Sequence, residues 1–183
     1  VIERWAACDY SEVTIWTIGH STRSLQELIA LLHEHDIERL ADIRRHPGSR
    51  RHPHFARESL ERELPLEYIH LVDLGGRRKA LPDSRNTALR NEQFRAYADY
   101  LPAAAARTAM ETLLGSEKRT AVMCAEAVPW RCHRNLLADE LTRRGVQVIH
   151  ILGQGQSRQH ALSTLARIEN DRIVYPDAQQ LSL

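Results

Sequence analysis

Five short apolar runs, most of them rich in β-branched residues, alternate along this chain with segments of helical period, and that alternation confines the fold to one class. The runs are residues 13–18 (VTIWTI), 37–43, 67–71, 119–124 (RTAVMC) and 146–152. Between the first two, Leu25, Leu28, Ile29 and Leu32 fall on one helical face, entered through Ser24 and Glu27, a capping-box pair. Residues 56–64 predict a short helix, and 92–114 a longer helical region interrupted by Pro102. A last helix carries Leu137 and Leu141 and stops at Gly145. Strands separated by helices pair in parallel through right-handed crossovers, with helices on both faces. The expectation is a three-layer α/β/α domain with a mostly parallel five-stranded sheet. It spans residues 13–183 behind a lead-in at 1–12, with a C-terminal hairpin at 166–175 that turns at Asn170-Asp171 and adds an edge to the core.

Composition supports one globular domain and excludes disordered or collagen-like chains: 183 residues, 43% of them hydrophobic, are enough for a core that needs neither disulfides nor metal. No apolar run approaches the ~18 residues of a membrane span. Glu3, Arg4 and Asp9 stand where a signal peptide needs an unbroken apolar stretch, so a cytoplasmic location is expected. Three cysteines, Cys8, Cys124 and Cys132, are an odd number without a secretory signal, and free thiols follow.

In a sheet of this class ligands bind beyond the carboxyl ends of the strands, which selects the loops at 19–23, 44–54, 72–79 and 124–133. The formal charge of +1 argues against a uniformly basic surface, but it hides an asymmetry. Residues 44–54 (RRHPGSRRHPH) hold four arginines, three histidines and no acid; residues 73–95 hold six Lys/Arg against three Asp/Glu. The remainder is therefore acidic, and the cationic residues fall on the predicted ligand edge. Gly75 and Gly76 precede Arg77 there and would let backbone N–H groups approach a ligand. Asp42 and Asp73 each close a strand that enters a basic loop, as acid–base groups or as partners that orient Arg44 and Arg77.

The segment 123–134 (MCAEAVPWRCHR) runs from strand end into helix start, where backbone N–H groups favour an anion. Arg131 and Arg134 would add charge, and a thiol at Cys124 would be drawn toward the thiolate. The arrangement is similar to the Cys-x5-Arg loop of tyrosine phosphatases and rhodaneses, but its spacing is Cys-x6-Arg, it has no glycine, and Glu126 places a carboxylate in it. Buried, inert thiols are the plainer alternative for both cysteines. No cofactor is required by these residues. Zinc on Cys124, Cys132 and His133, with His20 as a further ligand, is a weaker alternative because the close Cys-x2-Cys pairing is missing. Adjacent Cys132 and His133 on one helix would also diverge by about 100°, unless one of them precedes it. In the turn Gly19-His20-Ser21-Thr22-Arg23, His20 is a candidate acid or base, and Ser21 a ligand contact or a helix cap.

Four ordered motifs resemble one family. Thr17-Ile18-Gly19-His20-Ser21, Asp42-Ile43-Arg44 with Pro47, Ser49 and Phe55, Leu74-Gly75-Gly76, and Met123-Cys124-Ala125-Glu126 with Cys132-His133-Arg134 are similar to the motifs of the bacterial and archaeal domain-of-unknown-function family 488, over roughly residues 15–152. The resemblance implies a compact α/β domain whose signature residues gather at one site; it supplies no established reaction. The leading expectation is an enzyme acting on a phosphate-bearing or other anionic substrate, a nucleotide or nucleic-acid component. Ser21, Arg44, Gly75, Gly76, Arg77, Arg131 and Arg134 would bind the anion, and His20, Cys124 and Glu126 would act on it. Two rivals stand beside it: a nucleic-acid-binding module, with Phe55 or Trp130 stacking on bases, and a small-ligand sensor without catalysis. No membrane partner is expected.

Overall fold

The structure is a computed structural model that describes residues 10–48 and 51–177, so Cys8 and Ser49 lie outside the described residues. Each apolar run becomes a strand at the expected place: β1 (Thr14–Gly19), β2 (Arg39–Asp42), β3 (Glu67–His70), β4 (Thr120–Cys124) and β5 (Gln147–Gly153). The intervening helices are α1 (Leu25–Glu34), α2 (Arg57–Glu63), α3 (Glu92–Tyr100), α4 (Ala104–Leu114) and α5 (Arg134–Arg143). The region 92–114 is two helices because Pro102 cannot continue the first. α1 opens with the full capping box, Ser24 accepting from the Glu27 N–H while Glu27 accepts from the Ser24 N–H. Ser24→Ala is expected to cost about 1 kcal/mol in urea unfolding, the usual worth of such a cap. A loss below the error of the method would mean that the cap is frayed in solution.

The strands lie in the order β3-β2-β4-β1-β5-β6, where β6 (Gln156–Gln159) is a sixth strand, antiparallel to β5 across a tight turn with Gly155 at φ 62°. The other neighbours are parallel. β6 escapes periodicity because all four of its residues are polar and exposed. It also corrects the expectation for the hairpin. β7 (Arg167–Glu169) and β8 (Arg172–Val174) turn at Asn170-Asp171, both at positive φ, but pair only with each other. The edge of the sheet beside β5 is already taken by β6, and the hairpin docks instead through buried Tyr175, whose hydroxyl donates to Asp139 on α5 at 2.8 Å.

Side-chain alternation assigns the helices to two faces. Trp16, Ile18, Leu40, Ala121 and Met123 point toward α1 and α2, packing on Leu28, Leu32, Phe55 and Leu60. Ile15, Ala41, Val122, Cys124 and Val148 point the other way, onto Tyr97, Met110, Leu113, Leu137 and Leu141 from α3, α4 and α5. The neighbours β1 and β4 therefore send their chains to opposite faces, β1 into α1 and β4 into α5. That divergence is a topological switch point, and the crevice beyond it is where this architecture places ligands. No helix among the described residues is long and apolar enough to cross a membrane.

Candidate functional site

Gly19 and Cys124 are paired at the carboxyl ends of β1 and β4. Two more backbone bonds, His20 N–H to Cys124 O at 3.0 Å and Ser21 N–H to Ala125 O at 2.9 Å, carry the pairing into the loops. The loop after Cys124 then folds back over β1 so closely that a Cβ on Gly19 would lie 1.8 Å from the Glu126 carbonyl oxygen, which is why only glycine fits. Arg134, 1% exposed, locks this fold-back: its guanidinium donates to Ile18 O at 3.2 Å, Glu126 O at 2.7 Å and Ala127 O at 2.9 Å. The structure thus gives Arg134 to three carbonyls of the chain itself.

Cys124, Cys132 and His133 meet behind that loop, their sulfurs and one imidazole nitrogen all within 4.8 Å of one another. His133 Nδ1 is 3.9 Å from Cys124 Sγ and 3.7 Å from Cys132 Sγ. Adjacent residues 132 and 133 can converge because α5 begins only at Arg134: Cys132 is extended (φ −132°, ψ 146°) and His133 is the first residue with helical angles. The condition that the sequence set for joint action is met. The Cys124 thiol is held well below its ordinary range, first by hydrogen bonding with Cys132 and then, against the opposing cost of burial, by the His133 imidazole beside it. Cys132 is correspondingly pushed up, its proton shared with Cys124 and its sulfur buried. Gly76 packs on the His133 ring, where a Cβ would stand 3.0 Å from Nδ1, and the Tyr97 ring meets it edge-on at 4.9 Å between centroids. The Gly75-Gly76 pair therefore serves close packing on His133 and Arg45.

Beside this cluster, Asp42 is fully buried and chelates Arg44 through Nε at 2.9 and 3.0 Å and Nη2 at 2.5 Å, while Tyr68 donates to the same carboxylate at 2.8 Å. Of the two roles open to Asp42, the structure displays the orienting one. Arg44 in turn donates to Phe55 O at 2.8 Å and to His20 Nε2 at 3.2 Å. His20 Nδ1 donates to Ser21 O at 3.0 Å, and its ring stacks on Phe55 at 4.2 Å. Burial, and then the Arg44 guanidinium, lower the His20 pKa to about 4, so the ring is neutral. Phe55 is fully buried, hence a core residue and no platform for bases; Trp130 is 57% exposed.

The remaining candidates lie in the loops that leave β1, β3 and β4. Arg77, Arg131, Asp73 and Glu126 are exposed, and Arg77 sits at φ 59°. Ser21 is half-buried at φ 48° and does not cap α1. Sequence reasoning missed a second polar array. Thr17 on β1 donates to His150 Nδ1 at 2.7 Å, His150 Nε2 to His160 Nδ1 at 3.0 Å, and His160 Nε2 to Asp139 at 2.8 Å. His150 and His160 of this array line a cavity of about 320 Å³ together with Trp130, Asn135, Arg158 and Leu162. Its members come from three distant segments, and only His150, a polar residue inside an apolar run, is conspicuous in the sequence.

Residues 24–141, nearly two-thirds of the chain, match the family described as domain of unknown function DUF488. Three of the four motifs fall inside that span, and the first, at residues 17–21, precedes it. No curated protein and no solved structure matches the chain.

Proposed function

This chain belongs to the DUF488 family, and on that premise we propose that it is an enzyme acting on a small phosphate-bearing or otherwise anionic substrate, a nucleotide or nucleic-acid component, in the crevice between the ends of β1 and β4. The observation that carries this reading is the convergence of Cys124, Cys132 and His133 at the topological switch point. The Cys124 sulfur is the group on which the chemistry turns, since its neighbours favour the deprotonated form. The exposed guanidinium groups of Arg77 and Arg131 suit capture of the anion, by the planar donor geometry that fits phosphate. Glu126, exposed on the loop that leaves Cys124, is the acid–base group, and neutral His20 holds the wall through Arg44 and Ser21.

Turnover of a panel of nucleotides and simple phosphate esters tests this. Cys124→Ser is expected to lower kcat by at least about 100-fold on any substrate found, the scale of a lost catalytic group. Arg77→Ala with Arg131→Ala should raise KM with little change in kcat. Equal rates in Cys124→Ser and the parent protein would overturn the assignment. Binding of oligonucleotides with a steep dependence on salt, and no turnover, would favour the nucleic-acid module instead.

A further inference from the structure

We propose that Cys124, Cys132 and His133 bind one thiophilic divalent metal ion, zinc by the chemistry of the set, and leave it one open coordination position. This deepens the reading of the same centre as an active site and rests on it only for the use to which the open position is put.

The donor atoms carry the argument. Two sulfurs and an imidazole nitrogen are a recurrent zinc set, with Zn–S near 2.3 Å and Zn–N near 2.0–2.1 Å. A tetrahedral ion with those bond lengths spaces its sulfur and nitrogen ligands about 3.5 Å apart. The two S···Nδ1 separations here are 3.9 and 3.7 Å, within a few tenths of an ångström of that spacing, and all three donor atoms lie within 4.8 Å of one another, so the two sulfurs need draw together by at most about 1 Å to close the set around an ion. The three groups arrive from two rigid elements, Cys124 from the end of a central strand and the other two from the turn into α5. Arg134 and Gly19 fix the loop between them, and Gly76 and Tyr97 hold the imidazole from its other side. With Nδ1 on an ion the ring proton would stand on Nε2, which is buried without a hydrogen-bond partner among the described residues.

The count is as informative as the spacing. Among the described residues the cluster has three donors, and no fourth His, Cys, Asp or Glu joins it. Zinc sites that only brace a fold close with four protein ligands, whereas sites that act on substrates keep three and give the fourth position to water or substrate. An anion drawn in by Arg77 and Arg131 would have that position to occupy, and the ion would polarise it as a Lewis acid. Each thiol that binds the ion gives its S–H proton to solvent, and no electron changes hands.

The whole chain, stripped of metal with a chelator, should be titrated with Co(II) and then Zn(II). One Co(II) per chain is expected, with the intense visible bands of tetrahedral geometry and a thiolate-to-cobalt charge-transfer band; one equivalent of Zn(II) should erase both. Binding should release protons to solvent. Cys124→Ala, Cys132→Ala and His133→Ala should each weaken binding at least about 100-fold, beyond the 10–100-fold typical of outer-shell partners. His52→Ala with His54→Ala, in the histidine-rich loop, should change nothing. An octahedral spectrum, no stoichiometric binding by the parent chain, or full binding by Cys124→Ala overturns the proposal, and the parent spectrum decides even where a variant fails to fold. The two readings separate: turnover that Cys124→Ser abolishes, in a parent chain that binds no stoichiometric Co(II), sinks the metal and keeps the enzyme. Stoichiometric tetrahedral Co(II) without turnover of any anion keeps the metal and sinks the enzyme.

Discussion

Arg134→Met will destabilise the protein by about 4 kcal/mol and, in whatever still folds, release the segment that follows Cys124. The guanidinium is 1% exposed and donates to three carbonyl oxygens, one at the end of β1 and two in the fold-back over it. Methionine fills a similar volume and replaces none of the donors. The Ile18 bond is buried and the Glu126 and Ala127 bonds are partly so; a buried carbonyl left without a partner costs roughly 1–3 kcal/mol and a half-buried one less, and together they outweigh the relief of desolvating one fewer charge. The relief is real, since no carboxylate among the described residues lies within ion-pair reach of Arg134 and its own Nε is buried without a partner. Arg134→Lys should recover only part of the loss, because an ammonium donates from a single point and cannot span carbonyls held on two separate segments. Urea unfolding of the three proteins checks the order parent, Lys, Met. A Met variant within about 1 kcal/mol of the parent would show that the carbonyls find water, and that the fold-back does not depend on this residue.

The same residue marks the limit of what could be read from sequence. Alternation of apolar runs with helical periods located β1 to β5, and Ser24, Pro102, Gly145 and Asn170-Asp171 placed the boundaries correctly, because caps, breakers and left-handed turns are local physics. β6 was invisible because Gln156–Gln159 buries nothing; the docking of the hairpin was invisible because it depends on Tyr175 finding Asp139 across 36 positions. Topology selected the loops beyond the carboxyl ends of the strands, and Cys124, Cys132 and His133 meet among them. Their roles divide by partners that charge counting does not register. Arg44 and Arg134 resembled Arg77 and Arg131 as cations, yet the first two are buried on internal acceptors and the last two are exposed. For Cys132 and His133 a single residue decided the outcome: had α5 begun one turn earlier, the two side chains would have diverged.

Stability will fall steeply on acidification from about pH 6.5, driven by His20 and His150. Both are neutral in the fold, lowered to about 4 and about 3, in each case first by burial. For His20 the Arg44 guanidinium is the next cause, with Cys124 and Asp42 pulling weakly the other way. For His150 it is His160, then Arg134 and Arg158, opposed by Asp139. Geometry explains the same preference, since Thr17 donates to His150 Nδ1 and Arg44 to His20 Nε2, so a proton added to either ring meets a donor already in place. In the unfolded chain both titrate near 6.5. Below that pH the unfolded state binds protons that the folded state refuses, so stability is present in full above about 6.5 and declines as pH falls, until each folded pKa is reached. The slope is about 1.4 kcal/mol per pH unit per histidine, which by pH 4 amounts to roughly 6 kcal/mol for the pair. That is comparable with the whole stability of a domain this size, so acid unfolding should set in well above the carboxylate range. His150→Asn, whose amide oxygen can still accept from Thr17, should flatten the slope by about half. If urea-derived stability is level between pH 7 and pH 5, or if His150→Asn keeps the parent slope, the two rings admit protons freely and the buried polar chain from Thr17 to Asp139 is more open than its packing implies.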